Sequence, residues 1–116
     1  MLLENKRIDL GITSSYYAIE KTIPQIEKII NDGIEIIPIM SFNCYNFTSK
    51  NFSKEIEEIC GKKIIHTIEE VALLEHKLPS DVMAIIPCTG NTIGKLANGI
   101  IDTPVLMAAK INLKKR

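Results

Sequence analysis

The 116 residues, 46% of them hydrophobic, suffice for one core and are too few for two ordinary domains. Fourteen basic and fourteen acidic side chains cancel, and only the tail Lys114-Lys115-Arg116 clusters one sign, so there is no electrostatic footprint for a nucleic acid. No stretch approaches the ~20 apolar residues of a membrane span, Met1–Arg7 lacks the apolar run of a signal peptide, and Cys44, Cys60 and Cys88 are spaced for neither a disulfide framework nor a zinc site; a soluble protein of the reducing cytoplasm is expected.

The first predicted element is a short buried strand over Arg7–Thr13, built on Ile8, Leu10 and Ile12 and ending in Ser14-Ser15. Ile19, Ile23, Ile26 and Ile30 then share one face of a helix over Tyr17–Asp32, which Pro24 either kinks or delays to a start near Thr22. Asn31-Asp32-Gly33 is suited to a left-handed helix end, and the apolar run Ile34–Met40 is the second strand, completing a βαβ unit whose strands should be parallel. Ser41–Phe52, polar with scattered aromatics, reads as a surface loop. Ser53 is placed to cap a short helix through Cys60, with Gly61 ending it.

A third strand is predicted at Lys63–Ile65, and Thr67-Ile68-Glu69-Glu70 has the pattern of a capping box for a further helix that Pro79-Ser80-Asp81 stops. Val82–Pro87, without polar alternation, reads as a fourth strand buried on both faces. Ile93, Leu96, Ala97 and Ile100 keep helical spacing, and Thr103-Pro104 supplies a cap and a first-turn proline for a last helix. Its stripe Val105-Leu106-Met107-Ala108-Ala109 is more apolar than one covered face requires, which implies burial on several sides or an intersubunit contact. Strands alternating with helices, with no internal repeat, give an α/β layered fold on a parallel sheet.

In such sheets the ligand crevice lies at the carboxyl ends of the strands. The loops there carry Thr13, Ser14 and Ser15 after the first strand, Ser41 after the second, and Thr89, Gly90, Asn91 and Thr92 after the fourth, ahead of a helix whose free N–H groups favour an anion. Any one of these loops is explained by capping alone; three at one end of a sheet point to a ligand. Tyr16 and Tyr17 could stack on a planar ligand or simply pack. His66 and His76 suit surface or packing roles, Asp102 a turn, and Cys88 faces the crevice without a cation in the sequence around it to activate a thiolate.

The stretch from Ile85 to Lys110, with Pro87-Cys88-Thr89-Gly90-Asn91-Thr92 and Pro104-Val105-Leu106-Met107-Ala108-Ala109-Lys110, resembles the flavoprotein family of flavin-containing decarboxylases and prenyltransferases, and within it the B-type subunits of dipicolinate synthases. Thr22–Lys28, Ile37–Ser41 and Lys77–Asp81 extend the similarity over nearly the whole chain. The resemblance implies a Rossmann-like, flavodoxin-like three-layer sandwich that forms homo-oligomers and binds flavin mononucleotide (FMN) through Thr13, Ser14, Ser15, Ser41, Thr89, Gly90, Asn91 and Thr92, with Asn91 as the expected catalytic residue. It further implies a partner, the dehydrogenase-like A-type subunit of dipicolinate synthase, which brings NADP, and a small dicarboxylate substrate, dihydrodipicolinate, oxidised to dipicolinate during endospore formation. A non-catalytic scaffold and an FMN-dependent decarboxylase are the alternatives. Decarboxylase relatives carry a histidine ahead of the fourth strand, and His76 stands at a different distance from Asp81, which disfavours the last. Relatives also continue with further strands and helices, so a C-terminally incomplete single domain with an open sheet edge, prone to self-association, is expected.

Overall fold

A computed structural model describes residues 6–13, 16–48, 52–74, 81–86 and 88–115, with side chains omitted at Tyr16, Tyr17, Phe47, Thr48 and Lys115. Ser14, Ser15, His76, Pro79, Ser80 and Pro87 thus lie outside what can be described. Three parallel strands, β1 (Arg7–Ile12), β2 (Glu35–Met40) and β3 (Val82–Ile85), form one sheet in the order β2-β1-β3. Side-chain alternation along β1 divides the core. Leu10 and Ile12 join Ile36 and Met40 of β2 against helices α1 (Tyr16–Asn31) and α2 (Ser53–Cys60), whereas Ile39 packs with Val71 of α3 (Ile68–Leu73) and with Val105, Ala108 and Ile111 of α5 (Pro104–Lys115). Helices on both faces of a parallel sheet give the three layers of a flavodoxin-like fold.

Helix α1 begins at Tyr16, so Pro24 sits inside it rather than delaying it. Ile19, Ile23 and Ile26 bury the sheet-facing stripe, and that packing offsets the backbone bond which proline cannot donate. Gly33 follows at φ 86, the left-handed turn into β2 that only glycine adopts without strain. Glycine matters differently at Gly11: a Cβ there would stand 2.8 Å from Val105 Cγ1, so its absence lets α5 lie directly on β1.

Several expectations are corrected. Ser41–Phe52 is not a plain loop, since it contains a turn of π-helix over Cys44–Thr48. Ser53 is the first residue of α2 rather than its cap; Phe52 occupies the cap position without a side-chain cap bond, while Gly61 ends the helix as expected. Lys63–Ile65 contributes a single bridge, Ile65 to Ile39, in place of a strand. The Ile65 N–H donates to the Pro38 carbonyl at 2.9 Å and the Met40 N–H to the Ile65 carbonyl at 2.8 Å, so the chain touches the outer edge of β2 and leaves it. Finally, β3 is an edge strand with Val82 exposed, not a strand buried on both faces, and the apolar side of α4 (Gly90–Ala97) is open: Ile93 is 55% exposed and Leu96 39%, with Ile100 beyond the helix at 45%. Nothing among the described residues lies beyond β3 to cover them. The stripe on α5 is buried within the chain, through Val105, Leu106, Ala108 and Ala109.

The capping box at Thr67 is present in full. Thr67 Oγ1 accepts the Glu70 N–H at 3.1 Å, and the Glu70 carboxylate accepts the Thr67 and His66 N–H groups, each at 3.1 Å. Burial acts to raise the Glu70 pKa, but those bonds together hold it below the ordinary carboxylate range. Its contribution is therefore present above the ordinary carboxylate pKa and is lost as pH falls through the lowered folded value. Thr67→Ala is expected to cost about 1 kcal/mol in urea unfolding at neutral pH, and a midpoint unchanged from wild type would refute the cap's role. His66 stacks on Tyr45 with centroids 3.7 Å apart and planes within 3°, a packing role that joins the π-helical turn to the start of α3.

Candidate functional site

The carboxyl ends of the three strands converge on one crevice because β1 has β2 on one side and β3 on the other, the point where strand order switches. Thr13, immediately after β1, is buried, and its Oγ1 accepts the Thr89 N–H at 3.0 Å. On the other side, the Ser41 N–H donates to the Ile12 carbonyl at 3.2 Å, while Ser41 Oγ accepts the Cys44 N–H at 3.3 Å and so fixes the start of the π-helical turn. Both neighbouring loops thus hang from the end of the central strand.

Helix α4 starts at this junction. Thr89 is its cap: Oγ1 accepts the Thr92 N–H at 3.2 Å and lies 2.9 Å from the Thr92 hydroxyl. The first intrahelical bond runs from the Ile93 N–H to the Thr89 carbonyl at 3.0 Å, so the N–H groups of Gly90 and Asn91 precede the ladder and have no partner within the helix. A Cβ at Gly90 would meet nothing within 4 Å, so the backbone there is open to close approach.

These loops enclose a crevice of about 350 Å³, at the small end of ligand sites. Of the expected residues, Thr13, Ser41, Thr89, Asn91 and Thr92 line it; Gly90 adjoins it at the start of α4, and Ser14 and Ser15 lie outside the described residues. Sequence reasoning missed Phe42, Asn43, Lys95, Asp102, Thr103 and Leu106, which also line it. Asp102 is more than a turn residue: Lys95 Nζ donates to both of its carboxylate oxygens, at 2.9 and 3.1 Å. Phe42, 60% exposed, offers an aromatic surface at the crevice. A larger groove of about 450 Å³ runs between α4 and α5 past Leu96, Ile100 and Leu113, but it lacks a convergent set of polar groups, which is what orients a ligand.

Apart from the paired Lys95 and Asp102, the described crevice residues are hydroxyls, amides and apolar groups. Such a lining is suited to binding and orienting a polar ligand and, among the described residues, offers no unpaired acid or base for proton transfer. Burial pushes the Cys88 thiol above its ordinary value, and Sγ lies 3.8 Å from the Thr89 carbonyl as a donor. Cys44 and Cys60 are buried, the latter pushed up to about 11 by burial despite the nearby Lys62 ammonium. In the native protein Cys88 is expected to be alkylated before the other two, slowly at neutral pH and faster as pH rises. Peptide mass spectrometry after iodoacetamide treatment checks the order, and rapid labelling at pH 6 would contradict it.

The sequence pattern of the flavoprotein family matches residues 2–116. The B-type subunit of dipicolinate synthase from Bacillus subtilis (strain 168) is 40% identical over 117 residues, covering 97% of this chain and 58% of that protein. The crystal structure of its counterpart, the dipicolinate synthase B-type subunit from Bacillus halodurans C, superposes with a TM-score of 0.83 at 28% identity, covering 97% of this chain and 60% of that one. The FMN-dependent cysteine decarboxylase SpaF shares the fold at a TM-score of 0.66 and 21% identity, over 95% of this chain and 64% of its own. The chain thus spans about three fifths of the length of the dipicolinate synthase proteins it matches. A family pattern covering essentially the whole chain, a crevice at the strand switch point and a shared flavodoxin-like fold agree: this chain belongs to the flavoprotein family.

Proposed function

We propose that this chain binds FMN in the crevice around Asn91 and serves as the B-type subunit of a dipicolinate synthase, acting with the dehydrogenase-like A-type subunit on dihydrodipicolinate. The observation that carries the reading is the convergence of Thr13, Ser41 and Asn91 with the open N–H groups of Gly90 and Asn91. A flavin mononucleotide presents a ribityl polyol, a phosphate and a planar ring. Hydroxyls and an amide suit the polyol, the start of α4 suits the phosphate, and the exposed Phe42 suits the ring. Membership of the flavoprotein family supports the same assignment.

Oxidation of dihydrodipicolinate removes a hydride and a proton, and a bound flavin, or NADP carried by the dehydrogenase-like partner, is the hydride acceptor that such chemistry requires. The residues of this chain bind and orient, with Asn91 positioned to hold the reacting ligand through its amide. The lack of an unpaired acid or base among the described crevice residues favours a protein that works in a complex over an independent enzyme. The same observation keeps a scaffold role, without chemistry of its own, as the second reading. The open apolar side of α4 and β3 supports assembly, including the homo-oligomer proposed here.

The purified protein is expected to show flavin absorbance as isolated or after reconstitution with FMN, and Asn91→Ala to weaken FMN on the order of tenfold. A colourless protein that takes up no FMN would overturn the flavin reading. Mixing with the dehydrogenase-like partner separates the two roles: the scaffold reading fails if Asn91→Ala abolishes dipicolinate formation while the complex stays intact.

A further inference from the structure

We propose that Asn98-Gly99 is a site of spontaneous deamidation in the folded protein, gated by the turn that ends α4. Asn98 is the one asparagine that the sequence follows with glycine, the residue whose backbone nitrogen is least hindered in attacking the preceding side chain. Glycine stands there for a structural reason. Gly99 has φ 70, the Ile100 N–H donates to the Lys95 carbonyl at 2.9 Å, and the Gly99 N–H donates to the Leu96 carbonyl at 3.3 Å. These two bonds are the paired closure of a helix on a left-handed glycine, with Asn98 as the C-cap. The fold thus needs the reactive pair and leaves it in water: both residues are exposed, and a Cβ on Gly99 would meet nothing within 4 Å.

In the reaction the Gly99 backbone nitrogen gives its proton to solvent base and bonds to the Asn98 side-chain carbonyl carbon. The bond from that carbon to the amide nitrogen breaks, and ammonia leaves with a proton from solvent. Water then opens the cyclic imide at either carbonyl, giving aspartate or isoaspartate, and no oxidant, reductant or further reactant is needed. The closed turn holds the step back. Asn98 stands at ψ 7 with Nδ2 donating to the Gly94 carbonyl at 2.7 Å, and the Gly99 nitrogen is engaged with Leu96. Ring closure must rotate the Asn98-Gly99 peptide and release both bonds, so it waits on local opening of the last turn of α4. That turn is lightly held: Leu96 and Ile100 are exposed, and the Lys95–Asp102 pair that spans it is of the solvated kind that contributes little. The product loosens it further, because a carboxylate at this position cannot donate to Gly94 and puts negative charge at the negative end of the helix dipole.

The test needs no ligand. The whole chain is held in warm, mildly alkaline buffer, folded and in urea, and its peptides are followed by mass spectrometry, with Asn98→Gln, whose longer side chain closes a ring far more slowly, as the control. Asn98 is expected to be the first asparagine converted in the folded protein, on the order of tenfold more slowly than in the unfolded chain. Asn98→Gln should lose that early product while melting as the wild type does. Another asparagine converting first in the folded protein, or an Asn98 that stays intact there while the unfolded chain reacts, overturns the site. Equal rates in the two states overturn the gate. Asn98→Asp, which reproduces one product, is expected to speed amide exchange at Gly99 and Ile100 roughly two- to fivefold, and unchanged exchange overturns the loosening.

Discussion

Asn112→Ala is expected to lower the stability of this domain by about 3 kcal/mol, the scale of removing a hydrogen-bond partner from a buried carboxyl group. Asp9, on the central strand, is fully buried, and Asn112 on α5 is nearly so. The Asn112 amide donates to Asp9 Oδ2 at 3.1 Å and to the Ala108 carbonyl at 2.9 Å, and it lies 3.4 Å from Met83 Sδ. One side chain therefore ties the last helix to both β1 and β3. Alanine would leave a small cavity beside a carboxyl group that has lost a donor, and both changes act in the same direction. Urea unfolding should show the loss directly, and the melting midpoint should fall by roughly 10 °C. A change below ~0.5 kcal/mol, the scatter of ordinary surface substitutions, would show that the contact is not structural.

Thr13→Val is expected to have the largest combined effect on stability and binding. Valine keeps the shape of the threonine side chain but removes the oxygen that accepts the Thr89 N–H at 3.0 Å. That bond is the joint between the end of β1 and the cap of α4, so its loss leaves a part-buried donor unpaired, at about 1–2 kcal/mol, and frees the loop that carries Gly90 and Asn91. Under the proposed function FMN affinity should fall on the order of tenfold or more, because the donors at the start of α4 are no longer held in place. Thr13→Ser, which keeps the oxygen, should restore most of both properties. Thermal melts and flavin titrations read the two effects separately. A valine variant that retains wild-type stability would refute the joint, and one that melts lower yet binds FMN normally would confine Thr13 to the fold.

Much of this was legible without coordinates because it depends on local patterns. Isoleucines at helical spacing place α1, and the threonine–glutamate pair at Thr67 and Glu70 places the start of α3. Ile8, Leu10 and Ile12 at every second position locate β1, the apolar run Ile34–Met40 locates β2, and hydroxyl-bearing residues just after strands mark the end of the sheet that carries the crevice. Helix capping and the candidate site coincide at Thr89, where the residue that caps α4 also lines the crevice at the strand switch point.

What the sequence could not decide were the relations between distant segments. Lys63–Ile65 has the composition of a strand, but only Ile65 finds backbone partners at the edge of β2. Val82–Ile85 reads as buried on both faces by hydrophobicity, yet strand order makes it an edge, so Val82 and the apolar side of α4 are exposed. Asp102 has the look of a turn residue until the packing of α4 against α5 brings Lys95 to within 2.9 Å. Local propensity and periodicity are properties of neighbours in sequence, and they determined the elements and the end of the sheet that carries the crevice. Strand order, burial and the Lys95–Asp102 pairing depend on contacts between residues far apart in sequence or on separate elements, whose closure entropy only the assembled core can offset; those were decided by the tertiary structure.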